Sequence, residues 1–297
     1  MTTPAPLHSC RITAAGCDQR SPDNTGIFPY WSVTKTAIAI CALSLAEAGK
    51  LDLDTPLPGQ PFTLRQLLGH TAGLPDYTGL PAYQAAVARD EEPWSDTDLL
   101  AAALAQGPLF APGTGWAYSN VGYMLARQRI ETAADMPFAA LFRTRIGDRL
   151  GLDSVTLATT RQHFTRVRWD GARRYHPGWV YHGCLIGTAT DAARLLHRLF
   201  TGQLLSPAML EQMLRRQSLG GALPGRPWTD CGYALGLMSG SFGAAGRAIG
   251  HSGGGPFSVN AVYHFPDLAT PATVACFTEG RDEGVAEYAA AEHAFAP

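Results

Sequence analysis

The rhythm of apolar positions changes along the chain, and each change predicts a different kind of element. From Val33 to Ala48 the run VTKTAIAICALSLAEA is apolar almost all round, which predicts a long, buried helix. Ser32 stands where an N-cap belongs and Gly49 where the helix should stop. Residues 51–170 read as short helices parted by Pro- and Gly-rich turns: LDLDTPLPGQP, TLRQLLGH, GLPDYTGLP and a capped SDTDLLAAALAQ. After the loop FAPGTGWAYSN a helix is expected from Val121 to Thr132, and LFRTRIGDRLG should form one more. Further on, TDAARLLHRLFTG predicts a capped helix ending at Gly202, and SPAMLEQMLRR another with Pro207 in its first turn. GYALGLMS, FSVNAVYHF and ATVACFT then read as neighbouring antiparallel strands, and EGVAEYAAAEHAFA as a closing helix. The first thirty residues are weakly periodic and end in Phe28, Tyr30 and Trp31, which predicts one or two short strands running into a buried corner.

This order predicts an α+β fold, an antiparallel sheet flanked by helices and built from both chain ends, with a helical subdomain inserted. The expected division is 1–58 with 171–297 for the sheet domain and 59–170 for the helical one, with the active site between them. At 297 residues and 46% hydrophobic, the chain has enough apolar surface for one large core or a core with a lid-like subdomain. Twenty-five acidic against 23 basic side chains give a net charge of -2, which provides no field for holding nucleic acid. No apolar run approaches the ~18–20 residues of a membrane span, and the N-terminus lacks the basic and apolar parts of a secretion signal, so no membrane partner and a cytoplasmic location are expected. Six scattered cysteines form no Cys-x-x-Cys. Cys41 and Cys276 sit in apolar runs as small hydrophobes, and nine histidines show no metal-binding spacing, so neither a metal nor another cofactor is expected.

Three segments carry candidate chemistry: Ser32-Val-Thr-Lys35 at the start of a helix, Tyr118-Ser-Asn120 in a loop, and His251-Ser-Gly-Gly254 ahead of a strand. Positions i and i+3 share a helical face, so the Lys35 amine reaches the Ser32 hydroxyl. A serine attacks slowly unless a base takes its proton, and a desolvated lysine, or a Tyr-Lys relay, supplies one. Each residue also has a structural reading: Asn120 fits an N-cap for the helix at Val121, Tyr118 a half-buried loop aromatic, and His251 a satisfied histidine at a strand end. Tyr77, in GLPDY, is a candidate substrate contact. His70 is expected to fix its loop by hydrogen bonding, and WVYHGCLIG (179–187) to wall the pocket.

Taken in order with the flanking text SVTKT, AEAGKLDLDTPL, LRQLLGHTAGLPDY, PGTGWAYSNVGYMLA and GCLIGTATDAARLLHRLFTGQLLS, these motifs resemble the serine β-lactamase and penicillin-binding protein superfamily, most closely its class C β-lactamase and esterase branch. The likeness runs from about Tyr30 to Phe277. It implies a β-lactamase/transpeptidase-like fold and a serine hydrolase that passes through an acyl-enzyme on Ser32. Lys35 would take the serine proton, Tyr118 would serve the leaving group, and Asn120 would orient Lys35 or the substrate amide. An oxyanion hole would come from the backbone N–H groups of Ser32 and Gly254. His251 and Ser252 replace the lysine and threonine of the family's Lys-Thr-Gly. That lysine helps hold the substrate carboxylate, so the substitution favours esters, amides or peptides over β-lactams. The implied partner is a small-molecule or peptide substrate.

Two other readings stand beside this one. The chain fits a non-catalytic peptide-binding or assembly protein of the same fold. Gly250-His-Ser-Gly-Gly254 also matches the nucleophile elbow of α/β-hydrolases, with Ser252 as nucleophile and Asp267 or Asp282 and His293 following in order, although only 43 residues remain for the strands and helices that should come after it.

Overall fold

The computed structural model describes residues 6–19 and 25–295. Its main sheet has eight strands, antiparallel at every pairing. Along the chain they are β1 (His8–Thr13), β2 (Gly16–Gln19), β6 (Gln217–Gly220), β7 (Cys231–Tyr233), β8 (Met238–Ser241), β9 (Arg247–Gly254), β10 (Ser258–Phe265) and β11 (Ala272–Glu279). Their order in space is β2-β1-β11-β10-β9-β8-β7-β6, so the two chain ends meet where β1 pairs with β11, Cys10 opposite Ala275. A second, three-stranded sheet joins β3 (Phe28–Pro29), β5 (Cys184–Gly187) and β4 (Thr156–Ala158).

The helices in chain order are α1 (Thr34–Glu47), α2 (Leu64–Leu68), α3 (Pro81–Ala88), α4 (Asp96–Leu104), α5 (Asn120–Ala134), α6 (Phe138–Phe142), α7 (Asp148–Leu150), α8 (Arg161–Phe164), α9 (Ala189–Phe200), α10 (Pro207–Leu214) and α11 (Glu283–Ala294). Many begin where local chemistry dictates. Thr63 and Gln66 form a reciprocal capping box on α2, while Ser95, Thr188 and Ser206 each accept a backbone N–H in the first turn of α4, α9 and α10.

Helix α9 packs against one face of the sheet and α11 against the other. Residues of β11 therefore alternate between two cores: Ala275 and Phe277 join the large core with α1 and α9, and Val274 and Cys276 join a smaller one with Ala286, Ala290 and Ala294 of α11. A strand covered on both faces has no polar side to show, which explains the near-continuous apolar run of β11. Helix α1 is buried from Thr34 to Leu45 and packs on α5 and α6.

Several expectations change. Ser32 does not cap α1. It lies inside a 3₁₀ turn, Trp31–Val33, and the N-cap position belongs to Val33, which makes no side-chain capping bond. The cap of α5 is Ser119, whose Oγ accepts from Gly122 N at 3.0 Å, and Asn120 is the first helical residue. GYALGLMS is two strands and a turn, with Gly236 at φ 74°. LFRTRIGDRLG falls into α6, a π-helical turn over Arg143–Gly147, and α7. The segment holding His251 to Gly254 is part of β9 rather than a lead-in to a strand. Among the described residues no cysteine is in a disulfide, and no helix is long and apolar enough to cross a membrane.

Candidate active site

The position of Ser32 is set by the residue before it. Trp31 has φ 45°, a left-handed conformation that a bulky residue adopts only when its surroundings enforce it. Here they do: Trp31 Nε1 donates to Ser258 Oγ at 3.0 Å, and its ring meets Phe164, Tyr175 and Phe257 edge-on. Gly255 is required beside it, because a Cβ there would lie 2.3 Å from the indole. The Ser32 hydroxyl, spared any capping role, is left half-buried at the junction of two cavities.

Lys35 follows one helical turn later and is fully buried. Its Nζ lies 3.0 Å from Ser32 Oγ, 2.6 Å from Asn120 Oδ1 and 3.3 Å from His182 Nε2. Burial lowers its pKa to about 7, opposed by the negative charges of Asp76 and Glu283 and by Cys184. Tyr118 donates its hydroxyl proton to Ser32 Oγ at 2.8 Å, and its ring lies under the Lys35 amine at 4.9 Å. Burial raises the Tyr118 pKa well above 10, so the phenol keeps its proton at neutral pH. The loop carrying Tyr118, rather than only its own, is held by His70: Nδ1 accepts from Ser119 N at 3.1 Å, and the imidazole packs on the Tyr118 ring at 4.3 Å.

The three motifs thus converge, although the third contributes differently from its family counterpart. His251 is buried, its Nε2 is 2.9 Å from the Tyr233 hydroxyl, and Nδ1 faces the carbonyl of Ser252. A carbonyl only accepts, so Nδ1 carries the proton and Nε2 accepts from Tyr233. Burial, helped by the charge of Lys35, lowers its pKa to about 3, and the imidazole is neutral. Ser252 points elsewhere: its Oγ bonds to Glu287 and Tyr263 in a buried cluster. It sits inside an antiparallel strand rather than at a strand-to-helix elbow. Of the suggested partners, Asp267 pairs with Arg247, Asp282 caps α11 and His293 lies beside Cys276, so the elbow reading fails.

The cavities are about 650 Å³ and about 750 Å³, and they share Ser32, Thr78, Asn120 and Gly254. The first is walled by Trp31, Tyr77, Tyr83, Tyr175, Trp179 and Phe257. Tyr77 lines it, and its hydroxyl is committed to the wall, donating to Trp179 O at 3.4 Å and accepting from Tyr181 N at 3.2 Å. The second holds Tyr118, Tyr233, His251, Met238, Arg226 and Glu283.

Three residues of the site escaped sequence reasoning. Asp76 accepts from Asn120 N at 2.7 Å and Asn120 Nδ2 at 3.3 Å; its only signal was its place beside Tyr77. His182 lay within the segment expected to wall the pocket, with no sign that it would meet Lys35. Glu283, the first residue of α11, stands 3.0 Å from where a Cβ on Gly254 would be, and nothing in its neighbourhood in the sequence points there.

The Beta-lactamase family profile matches residues 13–295. The chain belongs to the Beta-lactamase family. It is 32% identical to penicillin-binding protein 4* of Bacillus subtilis (strain 168) over 176 residues, which cover 55% of this chain and 37% of that protein. It is 27% identical to esterase EstB of Burkholderia gladioli over 267 residues, 71% of this chain and 67% of the esterase. Its fold is similar to that of a D-stereospecific amidohydrolase from Streptomyces sp., with TM-score 0.80 and 24% identity, covering 98% of this chain and 94% of the other. The β-lactamase/transpeptidase-like α+β fold follows.

Proposed function

We propose that this family member is a serine hydrolase that forms an acyl-enzyme on Ser32 and acts on esters and unstrained amides in preference to β-lactams. The observation that carries this reading is the Ser32 hydroxyl, within hydrogen-bond reach of both a lysine and a tyrosine. With a pKa near 7, Lys35 is unprotonated in a substantial fraction of molecules at neutral pH and serves as the base, a part the protonated Tyr118 cannot take.

Ser32 Oγ bonds to the carbonyl carbon as its proton passes to Lys35 Nζ, and the carbonyl π electrons move to oxygen, facing the N–H groups of Ser32 and Gly254. Tyr118 gives its proton to the leaving atom as that bond breaks, and Lys35 restores it. Water then releases the acid by the reverse sequence. Tyr118 lines only the second cavity, so the leaving group belongs there and the acyl group in the aromatic first cavity. Both volumes suit small-molecule ligands.

The preference against β-lactams rests on His251, a neutral imidazole where the related β-lactamases carry a lysine for the substrate carboxylate. The likeness in sequence to an esterase and in fold to an amidohydrolase supports that preference.

The test is burst kinetics with p-nitrophenyl butyrate, followed by intact-protein mass, on the wild type and on Ser32→Ala and Ser252→Ala. One butyryl adduct on the wild type and Ser252→Ala, and none on Ser32→Ala, is the expected result. An adduct that survives in Ser32→Ala rejects the assignment, and no adduct on any form favours the binding or assembly protein.

A further inference from the structure

We infer that His182 is a positioning residue for Lys35: its imidazole accepts one hydrogen of the amine and so leaves the lone pair of Lys35 facing Ser32 Oγ. The inference rests on the proposed role of Lys35 as base. A free lysine amine has two hydrogens and one lone pair, and an ammonium has three hydrogens. Lys35 Nζ has three polar neighbours, Ser32 Oγ, Asn120 Oδ1 and His182 Nε2, at 3.0, 2.6 and 3.3 Å. The amide of Asn120 has only one workable orientation. Its Nδ2 faces a carboxylate oxygen of Asp76 at 3.3 Å, and a carboxylate only accepts, so Oδ1 must face the lysine.

His182 is buried, and burial reinforced by the charge of Lys35 pushes its pKa well below 6.5, so it is neutral. Opposite an ammonium its Nε2 accepts, and its proton sits on Nδ1. When Lys35 loses its proton, the two remaining hydrogens stay on Asn120 and His182. The only neighbour able to donate into the lone pair is then the hydroxyl of Ser32, the proton the reaction must remove. Without the imidazole the second hydrogen has no fixed acceptor and the amine is free to turn a hydrogen toward Ser32.

The distance is built into the backbone. His182 precedes β5, and that strand is tied to the start of α1 by Leu185 N donating to Thr34 Oγ1 at 3.0 Å and by Tyr30 N donating to Leu185 O at 2.8 Å. The other groups facing Lys35 are Asp76 in the loop before α3, Glu283 on α11, Cys184 on β5, His70 and His251, and the rings of Tyr118 and Tyr123. Replacing His182 leaves all of them in place and removes one acceptor from the ammonium, so the proton affinity of Lys35 should fall.

The sequence makes this measurable without any activity assay, because Lys35 and Lys50 are its only lysines. Protein labelled with 13C at lysine Cε gives two resonances, and their titration by NMR reports Lys35 directly. In His182→Ala, and in His182→Leu, which keeps bulk without an acceptor, the Lys35 midpoint is expected to move down by about half a unit or more, roughly a threefold loss of proton affinity. His182→Gln, which retains an acceptor oxygen, should recover part of the shift.

Acylation by p-nitrophenyl butyrate should show the same displacement of its acid limb toward lower pH, together with a plateau about tenfold lower, the cost of misdirecting the base. A Lys35 midpoint equal to or above wild type in folded His182→Ala or His182→Leu overturns the inference. Should the wild type fail to acylate at Ser32, the proposed function falls, while the lysine titration still decides the role of His182.

Discussion

At Asn120 one amide is held between a carboxylate and an amine. Its Nδ2 and backbone N–H donate to Asp76 and its Oδ1 accepts from Lys35, so the geometry of the base depends on a carboxylate that never touches it. Asp76→Ala strips both Asn120 donors of their acceptor, and Thr78 N and Oγ1 of theirs. It is expected to cost ~1–3 kcal/mol, the usual penalty for a buried group left unpaired, and to slow Ser32 acylation about tenfold by freeing the amide to flip. Urea unfolding and the burst rate check the two parts separately. At the same scale, Ser32, Lys35, Tyr118 and Asn120 were legible because a short spacing or a family motif marks them. Asp76 and His182 were not, since each matters only through a partner 44 or 147 residues away.

Among the elements, the decisive contact is β9 lying against the 3₁₀ turn Trp31–Val33. Gly253 allows it: a Cβ there would stand 2.8 Å from both Tyr30 O and Asn260 Oδ1, and 2.9 Å from Trp31 Cβ. Gly253→Ala should therefore part the strand from the turn. The expected outcome is ~1–3 kcal/mol of destabilisation from overpacking and a loss of Ser32 acylation on the order of 10², the scale of a displaced oxyanion donor. Urea unfolding and the burst assay measure both. The same glycines concealed β9 from sequence reasoning, because glycine weakens a strand signal and here marks close backbone approach. Gly236 likewise divides β7 from β8, where a side chain would run into Ala39 Cβ at 2.5 Å. The helices capped by Ser95 and Ser206 were readable because a cap and its helix lie within one turn of each other, whereas the cap of α9 is Thr188, two residues before the run read as that helix.

For the whole molecule, Glu287 is the fastening on the outer face of the sheet. Fully buried on α11, it pairs with Arg226 and accepts from Trp228 Nε1 at 3.1 Å as well as from Ser252 and Tyr263, joining a loop, two strands and a helix. Without Glu287, the partly exposed Arg226 keeps Glu283 at 3.0 Å as its partner, but Trp228 Nε1 and the hydroxyls of Ser252 and Tyr263 lose a shared buried acceptor. Glu287→Ala should therefore cost ~1–3 kcal/mol through the buried donors left unpaired, and Glu287→Gln less because hydrogen-bonding atoms remain. Urea titration of both variants beside the wild type is the check, and a cost below ~1 kcal/mol for the alanine variant would mean that those donors find water instead.

The sequence by itself determined the α+β order of elements, several helix starts and the burial of α1, because hydrophobic period and capping act over a few neighbouring residues. It also marked Ser32 and Lys35 as one face of one helical turn. Only the tertiary structure decided that β9 is a strand, that Ser252 belongs to a buried cluster with Glu287, and that Asp76 and His182 surround the base. Above all, a lysine's proton affinity is set by how much water the fold removes from it and by which acceptors distant segments bring to its three N–H directions, and neither quantity exists until the chain has packed.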